Sequence, residues 1–283
     1  MIHMIYEHIF QVRGGEGVGP FNTNFNVKLI FLIITLSIVI YDCYTQKRKD
    51  YYAVLNTGTI IWSIVELTMQ LAGIREFQAA YLFGWELPIY LQIPFQGLVE
   101  GAMVAVVCLF VGDRIVGNKE NKKKRYGWIL LFALIMVYIV VDALDQGIQT
   151  PAVGGEVGVD ITSRRAMTSP TAIIFLSCMV AIDIVFYIKT KKSAPALRKR
   201  VVIMTWLMII FGAVWTISEV IAGTRWIEIG TFTNSVRATP LIEFIFLSYD
   251  VVIEIALAYV PFIAIPYFLG DIDTGSEPII SEP

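Results

Sequence analysis

Residues 200–223 read RVVIMTWLMIIFGAVWTISEVIAG: one Arg opens the run, one Glu stands near its end, and only apolar, small or hydroxyl residues lie between them. As a helix rising about 1.5 Å per residue, this run is about 36 Å long, enough to cross roughly 30 Å of hydrocarbon. Six further runs of the same kind lie at 27–45, 51–73, 88–112, 126–146, 169–189 and 240–269. They are continuous rather than alternating, which excludes a transmembrane barrel. The 283 residues are 56% hydrophobic and 16% charged, against roughly 25% charged in a soluble domain. The expected fold class is therefore all-α: a polytopic membrane protein with seven transmembrane helices, multi-pass in the cell membrane. Its first partner is the lipid bilayer. The net charge of -2 leaves no footprint for nucleic acid. Cys43, Cys108 and Cys178 fall in or near spans, so no disulfide framework is implied.

Lys and Arg set the orientation, because loops rich in them stay cytoplasmic. The loop after helix 1 holds Lys47, Arg48 and Lys49. The loop after helix 3 holds Arg114, Lys119, Lys122, Lys123, Lys124 and Arg125, and that after helix 5 holds Lys189, Lys191, Lys192, Arg198, Lys199 and Arg200. These loops carry most of the 22 basic residues, which places the N-terminus outside and the C-terminus in the cytoplasm. Segment 1–26 is then an outer segment, with Met1–Phe10 lying on the surface as an interfacial helix or unstructured. Segment 147–168 is an outer loop, either a lid or a connector, and 270–283 is a cytoplasmic tail. His3 and His8 in the outer segment are too sparse to define a metal site.

An internal repeat organises the spans. Helix 2 carries Trp62 and Glu66, followed by Gly73 and Arg75; helix 6 carries Trp215 and Glu219, followed by Gly223 and Arg225. The next helix begins at Pro88 or Pro240 and contains Val99-Glu100 or Ile253-Glu254. Helices 1–3 (27–112, repeat A) and 5–7 (169–269, repeat B) thus read as parallel copies joined by helix 4 at 126–146. This 3+1+3 layout resembles that of the small sugar-transporting SWEET proteins and of microbial rhodopsins. The resemblance is one of layout alone. Helix 7 contains no Lys, so the retinal Schiff base of the rhodopsins is excluded. Asp113-Arg114 is similar to the acid–arginine pair of seven-helix receptors, without that family's later motifs.

Ionisable residues inside a span are costly and mark function by default. Helix 2 aligns Thr59, Ser63, Glu66 and Gln70 on one face, and helix 3 aligns Gln92, Gln96 and Glu100. Helix 4 aligns Tyr138, Asp142 and Asp145, helix 6 Thr205, Gly212, Thr216 and Glu219, and helix 7 Glu243, Asp250 and Glu254. No Lys or Arg of the spans lies at the depth of Glu100 or Glu254. The expectation is an acidic, outward-opening cavity whose carboxylates are protonated, hydrated or neutralised by a bound cation. The candidate solute- or proton-binding residues are Glu66, Glu100, Glu219, Asp250, Glu254, Asp142 and Gln96. Asp42 is expected to be solvated at the cytoplasmic interface.

Three functions compete for such a cavity. The first is a transporter or permease of a small cationic or protonatable solute, with or without proton coupling. The second is a seven-helix receptor, a sensor or a membrane-complex subunit, and either could form homo-oligomers. The third is an intramembrane enzyme using carboxylates or a hard metal ion. No span contains His, and no hydrolase or prenyltransferase motif is present, so neither catalytic residues, a metal site nor a cofactor is assigned.

Overall fold

The computed structural model describes residues 7–12, 24–77, 81–83, 85–117, 121–149, 163–231 and 234–272. Helices fall on every predicted span: α1 (Asn24–Tyr41), α2 (Asp50–Leu71), α3 (Ile89–Gly117), α4 (Lys122–Gln149), α5 (Pro170–Ser193), α6 (Pro195–Ala222) and α7 (Pro240–Leu269). Five of these, α3 to α7, are long and apolar enough to cross a membrane, and Phe31–Thr45 forms a shorter apolar helix. This is a helical membrane protein. Proline marks four of the starts, as a fixed φ suits the first turn: Pro170, Pro195 and Pro240 open α5, α6 and α7, and Pro88 precedes α3. Ser169 caps α5, its hydroxyl accepting from the Ala172 amide at 3.2 Å.

The helices are not equivalent. α3 is central, with 78% of its apolar window buried, whereas α4 is peripheral at 11%. Leu130, Leu134, Val137 and Val141 of α4 are all more than half exposed, the pattern of a side turned to lipid. The core joins Val54, Leu55 and Trp62 of α2 to Ala102, Ala105 and Leu109 of α3, Met204 and Met208 of α6 and Phe262 of α7. Without a hydrophobic drive between helices in lipid, close backbone approach carries the association. At Gly97 of α3, an added Cβ would lie 2.8 Å from the Thr59 carbonyl oxygen and 2.3 Å from Ser63 Oγ of α2.

Two helices change pitch in mid-course. Gly97–Ala102 of α3 and Asp250–Leu257 of α7 are wound as π-helix, a form that concentrates at functional sites. Glu100 lies in the first of these segments, and Asp250 and Glu254 in the second. The Tyr259 hydroxyl of α7 donates to the Glu100 carbonyl at 3.2 Å, tying the two interruptions together.

The sequence reading missed a sheet. Strands β1 (Glu7–Val12), β2 (Arg75–Phe77), β5 (Ser163–Ala166), β6 (Arg225–Thr231) and β7 (Asn234–Arg237) form one antiparallel sheet in the order β2-β5-β1-β6-β7. Strands β3 (Tyr81–Leu82) and β4 (Trp85–Glu86) make a separate two-stranded ribbon. All of these strands come from segments at the predicted outer ends of the helices. Part of the segment expected to be an interfacial helix or unstructured, Met1–Phe10, is therefore strand. The described part of the outer loop, 163–168, is strand and turn rather than a free connector. Ile9 at the sheet centre is 1% exposed, and the His8 ring stacks on Phe246 of α7 at 3.9 Å. Met167 and Ile227 of the cap pack with Leu247 of α7 in a small core of their own.

The α2–α3 contact is testable. Gly97→Ala should destabilise the protein by about 1–3 kcal/mol, the usual cost of overpacking, because Cβ would press on helix backbone. The fall in unfolding midpoint in detergent measures it, against a surface change such as Leu134→Ala as reference.

Candidate functional site

Helices α2 and α6 end alike, and their ends aim a guanidinium back at the helix. Gly73 and Gly223 adopt the left-handed conformation at φ 66° and 73°. The amides that follow reach back five residues: Ile74 to the Met69 carbonyl at 3.0 Å and Thr224 to the Glu219 carbonyl at 2.8 Å. This is the Schellman termination that glycine permits. The next residue in each case is Arg. Arg75 pairs with Oε1 of Glu66, and Arg225 Nε stands 2.5 Å from Oε2 of Glu219.

The cap supplies more charge. Arg165 of β5 pairs through Nη2 with Asp250 Oδ1 and with Glu254 Oε2, the latter at 2.6 Å. Arg225 Nη1 donates to Asp250 Oδ2 at 3.0 Å and to Thr216 Oγ1 at 2.9 Å. Burial works against the Arg165 charge, but Glu254 and Asp250 more than reverse that and hold its pKa above the ordinary value. From α1, Lys28 Nζ donates to Glu100 Oε1 at 2.7 Å, and Gln96 Nε2 donates to the other oxygen at 3.0 Å.

The expectation of carboxylates without basic partners is thus overturned. Among the described residues, Glu66, Glu100, Glu219, Asp250 and Glu254 meet Lys28, Arg75, Arg165 and Arg225. The reason is reach: the long cationic side chains extend from the rim to the acids, and the paired charges compensate each other's burial. The expectation of an open acidic pocket changes with it. Glu66 is 0% exposed and Glu254 7%, so the network lies beneath the cap. Six of the seven candidate residues, Gln96 included, belong to it. Asp142 lies on α4, and its side chain is outside the described residues, as is that of Asp145. No cluster of His, Cys, Asp and Glu suited to a metal ion occurs among the described residues.

A second buried charge cluster sits at the opposite ends of α2, α3 and α6, and sequence reading missed it. Arg200 Nε and Nη2 donate to the two oxygens of Asp113, each at 2.8 Å, while Nη1 donates to Asp50 Oδ2 at 2.7 Å. Arg48 Nη2 also donates to Asp50 at 2.8 Å, and the Tyr51 hydroxyl to Asp113 at 2.9 Å. Arg200 and Arg48 had been read only as topology-setting charges. The receptor-like pair Asp113-Arg114 does not form: Asp113 holds Arg200, and Arg114 lies over the rings of Phe110 and Trp128 at 5.1 and 5.8 Å. Asp42, expected to be solvated, is 5% exposed.

No family model matches the chain, and no curated protein or solved structure is detectably similar to it.

Removing one partner of a buried ion pair strands the other and costs about 3–5 kcal/mol, whereas replacing both by apolar groups is often nearly neutral. Arg200→Leu should therefore destabilise by about that much. Adding Asp113→Leu should recover a large part, since Asp50 keeps Arg48. Unfolding midpoints of the single and double variants decide the matter.

Proposed function

We propose that the chain is a seven-span protein of the cell membrane, N-terminus outside and C-terminus cytoplasmic, that transports a small cationic or protonatable solute in exchange for, or together with, protons. The observation that carries this reading is the charge balance of the buried network among the described residues: five carboxylates against four cations, with Glu100, Asp250 and Glu254 on the segments where α3 and α7 change pitch. One uncompensated carboxylate deep in a bundle takes up one positive charge, a proton or a small cation. Asp250 and Glu254 share the single guanidinium of Arg165 and are the natural place for it. Arg225, also on Asp250, and Tyr249 beside them complete the charged and titratable surroundings of this pair.

Two further features support a transporter. The sheet order β2-β5-β1-β6 reads onto itself when the halves are exchanged, because β1 and β5 precede α1 and α5 while β2 and β6 follow α2 and α6. The matching Gly-turn-Arg ends and π segments follow the same exchange. This is what a parallel repeat about an axis along the membrane normal produces, an arrangement common among transporters with a binding site between the halves. Buried ion clusters also close the bundle at both ends, the cap network on one side and the Arg200 cluster on the other. Alternate opening of such closures is how a central site reaches each side in turn.

One observation favours a second reading. Strand β7 is one of the two edges of the sheet, with no further strand on it among the described residues and Val236 67% exposed, and such an edge is a template for pairing with another chain. On that reading the protein is a receptor or membrane-complex subunit, or a homo-oligomer joined through its caps, and moves nothing.

Flux separates the two. In proteoliposomes with an imposed proton gradient, the protein should show solute-dependent, gradient-driven flux with some member of a panel of small amines and other protonatable solutes. Glu254→Gln should abolish coupling to the gradient while the variant still folds. Gradient-driven flux that survives Glu254→Gln unchanged would overturn the assignment of the proton site, and silence with every solute would favour the receptor reading.

A further inference from the structure

The three helices that begin at Lys- or Arg-rich loops treat those charges differently. A helix N-terminus carries partial positive charge, so an acid suits its first turn and a cation does not. α2 opens on Asp50, which accepts from Arg48. Near the start of α6, Arg200 is held by Asp113 and Asp50. α4 instead opens on Lys122, Lys123, Lys124 and Arg125, with no acid in its first turn. All four are exposed, and no carboxylate among the described residues pairs with Lys122, Lys123 or Arg125. The stretch 119–125 contains five basic residues and a single acid, Glu120. The exposed Lys191 and Lys192 are better placed, in the last turn of α5, where the dipole favours a cation.

The same end of α4 leads into the face it turns to lipid. α4 is the least buried of the five long spans. Lys122, Tyr126, Leu130, Leu134, Val137 and Val141 recur every three or four residues, which places them on one side of the helix, and all are exposed. Lys123 borders the same stripe. At about 1.5 Å per residue, Lys122 stands about 6 Å beyond Tyr126 and about 12 Å beyond Leu130. Aromatic side chains prefer the boundary between hydrocarbon and headgroups, and the headgroup layer is roughly 5–8 Å thick on each side. With Tyr126 at the boundary, the Lys122 ammonium therefore lies among the headgroups. Trp128, half-buried against the Phe110 ring at 5.3 Å and beneath Arg114, stands at the same level.

We propose that the Lys-rich end of α4 is a binding site for an anionic phospholipid such as phosphatidylglycerol, its phosphate on Lys122 and Lys123 and its acyl chains along the stripe from Leu130 onward. Clusters of basic residues beside a span recognise anionic headgroups in this way. Continuity of the charges with the apolar stripe selects a lipid over a soluble anion, which would meet the lysines alone. A zwitterionic lipid offers the same phosphate but brings a cation of its own to a turn that already repels cations. The anionic lipid supplies the negative charge that Asp50 supplies to α2. The site stands whether or not the protein moves a solute.

Native mass spectrometry of the intact, delipidated protein tests this, with phosphatidylglycerol and phosphatidylcholine of identical chains at equal concentration. Phosphatidylglycerol should be preferred about tenfold or more, and Lys122→Gln with Lys123→Gln should reduce the preference below about threefold. Lys191→Gln with Lys192→Gln, the same change of charge at the end of α5, should leave it intact. Glycerol 3-phosphate in large excess should not displace the lipid. Should the double variant at α4 fail to insert, the single changes carry the test, since the rest of the loop keeps its basic residues. No preference for the anionic lipid, a preference lost equally in the α5 variant, or displacement by glycerol 3-phosphate would each overturn the proposal, the last by showing a site for free phosphate.

Discussion

The structure depends on guanidinium groups delivered from a surface sheet to carboxylates buried among helices. Arg75, Arg165 and Arg225 each belong to a strand of the cap, and each ends on an acid of α2, α6 or α7. A carboxylate in the hydrocarbon zone is tolerable only if it is neutral, hydrated or paired, and pairing is the solution here. The consequence is mutual. The bundle can hold its acids only while the sheet stands above it, and the sheet is oriented by the acids it meets. Apolar contact adds to this through Met167, Ile227 and Leu247, but that contact is small.

Pairing that includes residues of five helices and three strand-borne arginines, one of them on the distant strand β5, is also a device for coupling. Asp250 is shared by Arg165 and Arg225, so a change in its charge is felt by both strands that carry them. At the other end of the bundle, Arg200 draws Asp113 of α3 and Asp50 of α2 together from α6. α3 runs between the two clusters, touching Lys28 through Glu100 near one and Arg200 through Asp113 at the other. Its π segment carries Glu100 and so lies at the cap network itself.

Much of this was legible in the sequence, and what was not has physical reasons. Helices lie on all seven apolar runs because each run is long and continuous. The Trp, Glu, Gly and Arg pattern pointed to acids that lie in one buried ion network, and a Gly followed two residues on by Arg was a signal that the chain turns back on its own helix. The strands were hidden. Glu7–Val12 and Ser163–Ala166 are short segments among polar residues, and a strand of four to six residues acquires its identity only from neighbours far away in the chain. Arg165 lies 85 residues from Asp250, and nothing local announces such a pair. Arg200 and Arg48 were legible as basic residues of inner loops, but one charge can set topology and also be buried in a cluster, and counting shows only the first.

The order of strands in the cap bears on how the molecule is made. β1 is the first described element of the chain, yet its neighbours in the sheet are β5 and β6. Ile9 is paired with Glu228, so about 220 residues separate emergence of the two partners, or roughly 10–40 s at ordinary rates of synthesis. β5 comes earlier, with Ala166 opposite Ile9 on the other side of β1, and Asp250 and Glu254 follow Arg165 and Arg225 in the chain. The five strands of the cap sheet all precede α7 in the chain, so the acids of α7 are the last members of the network to be made.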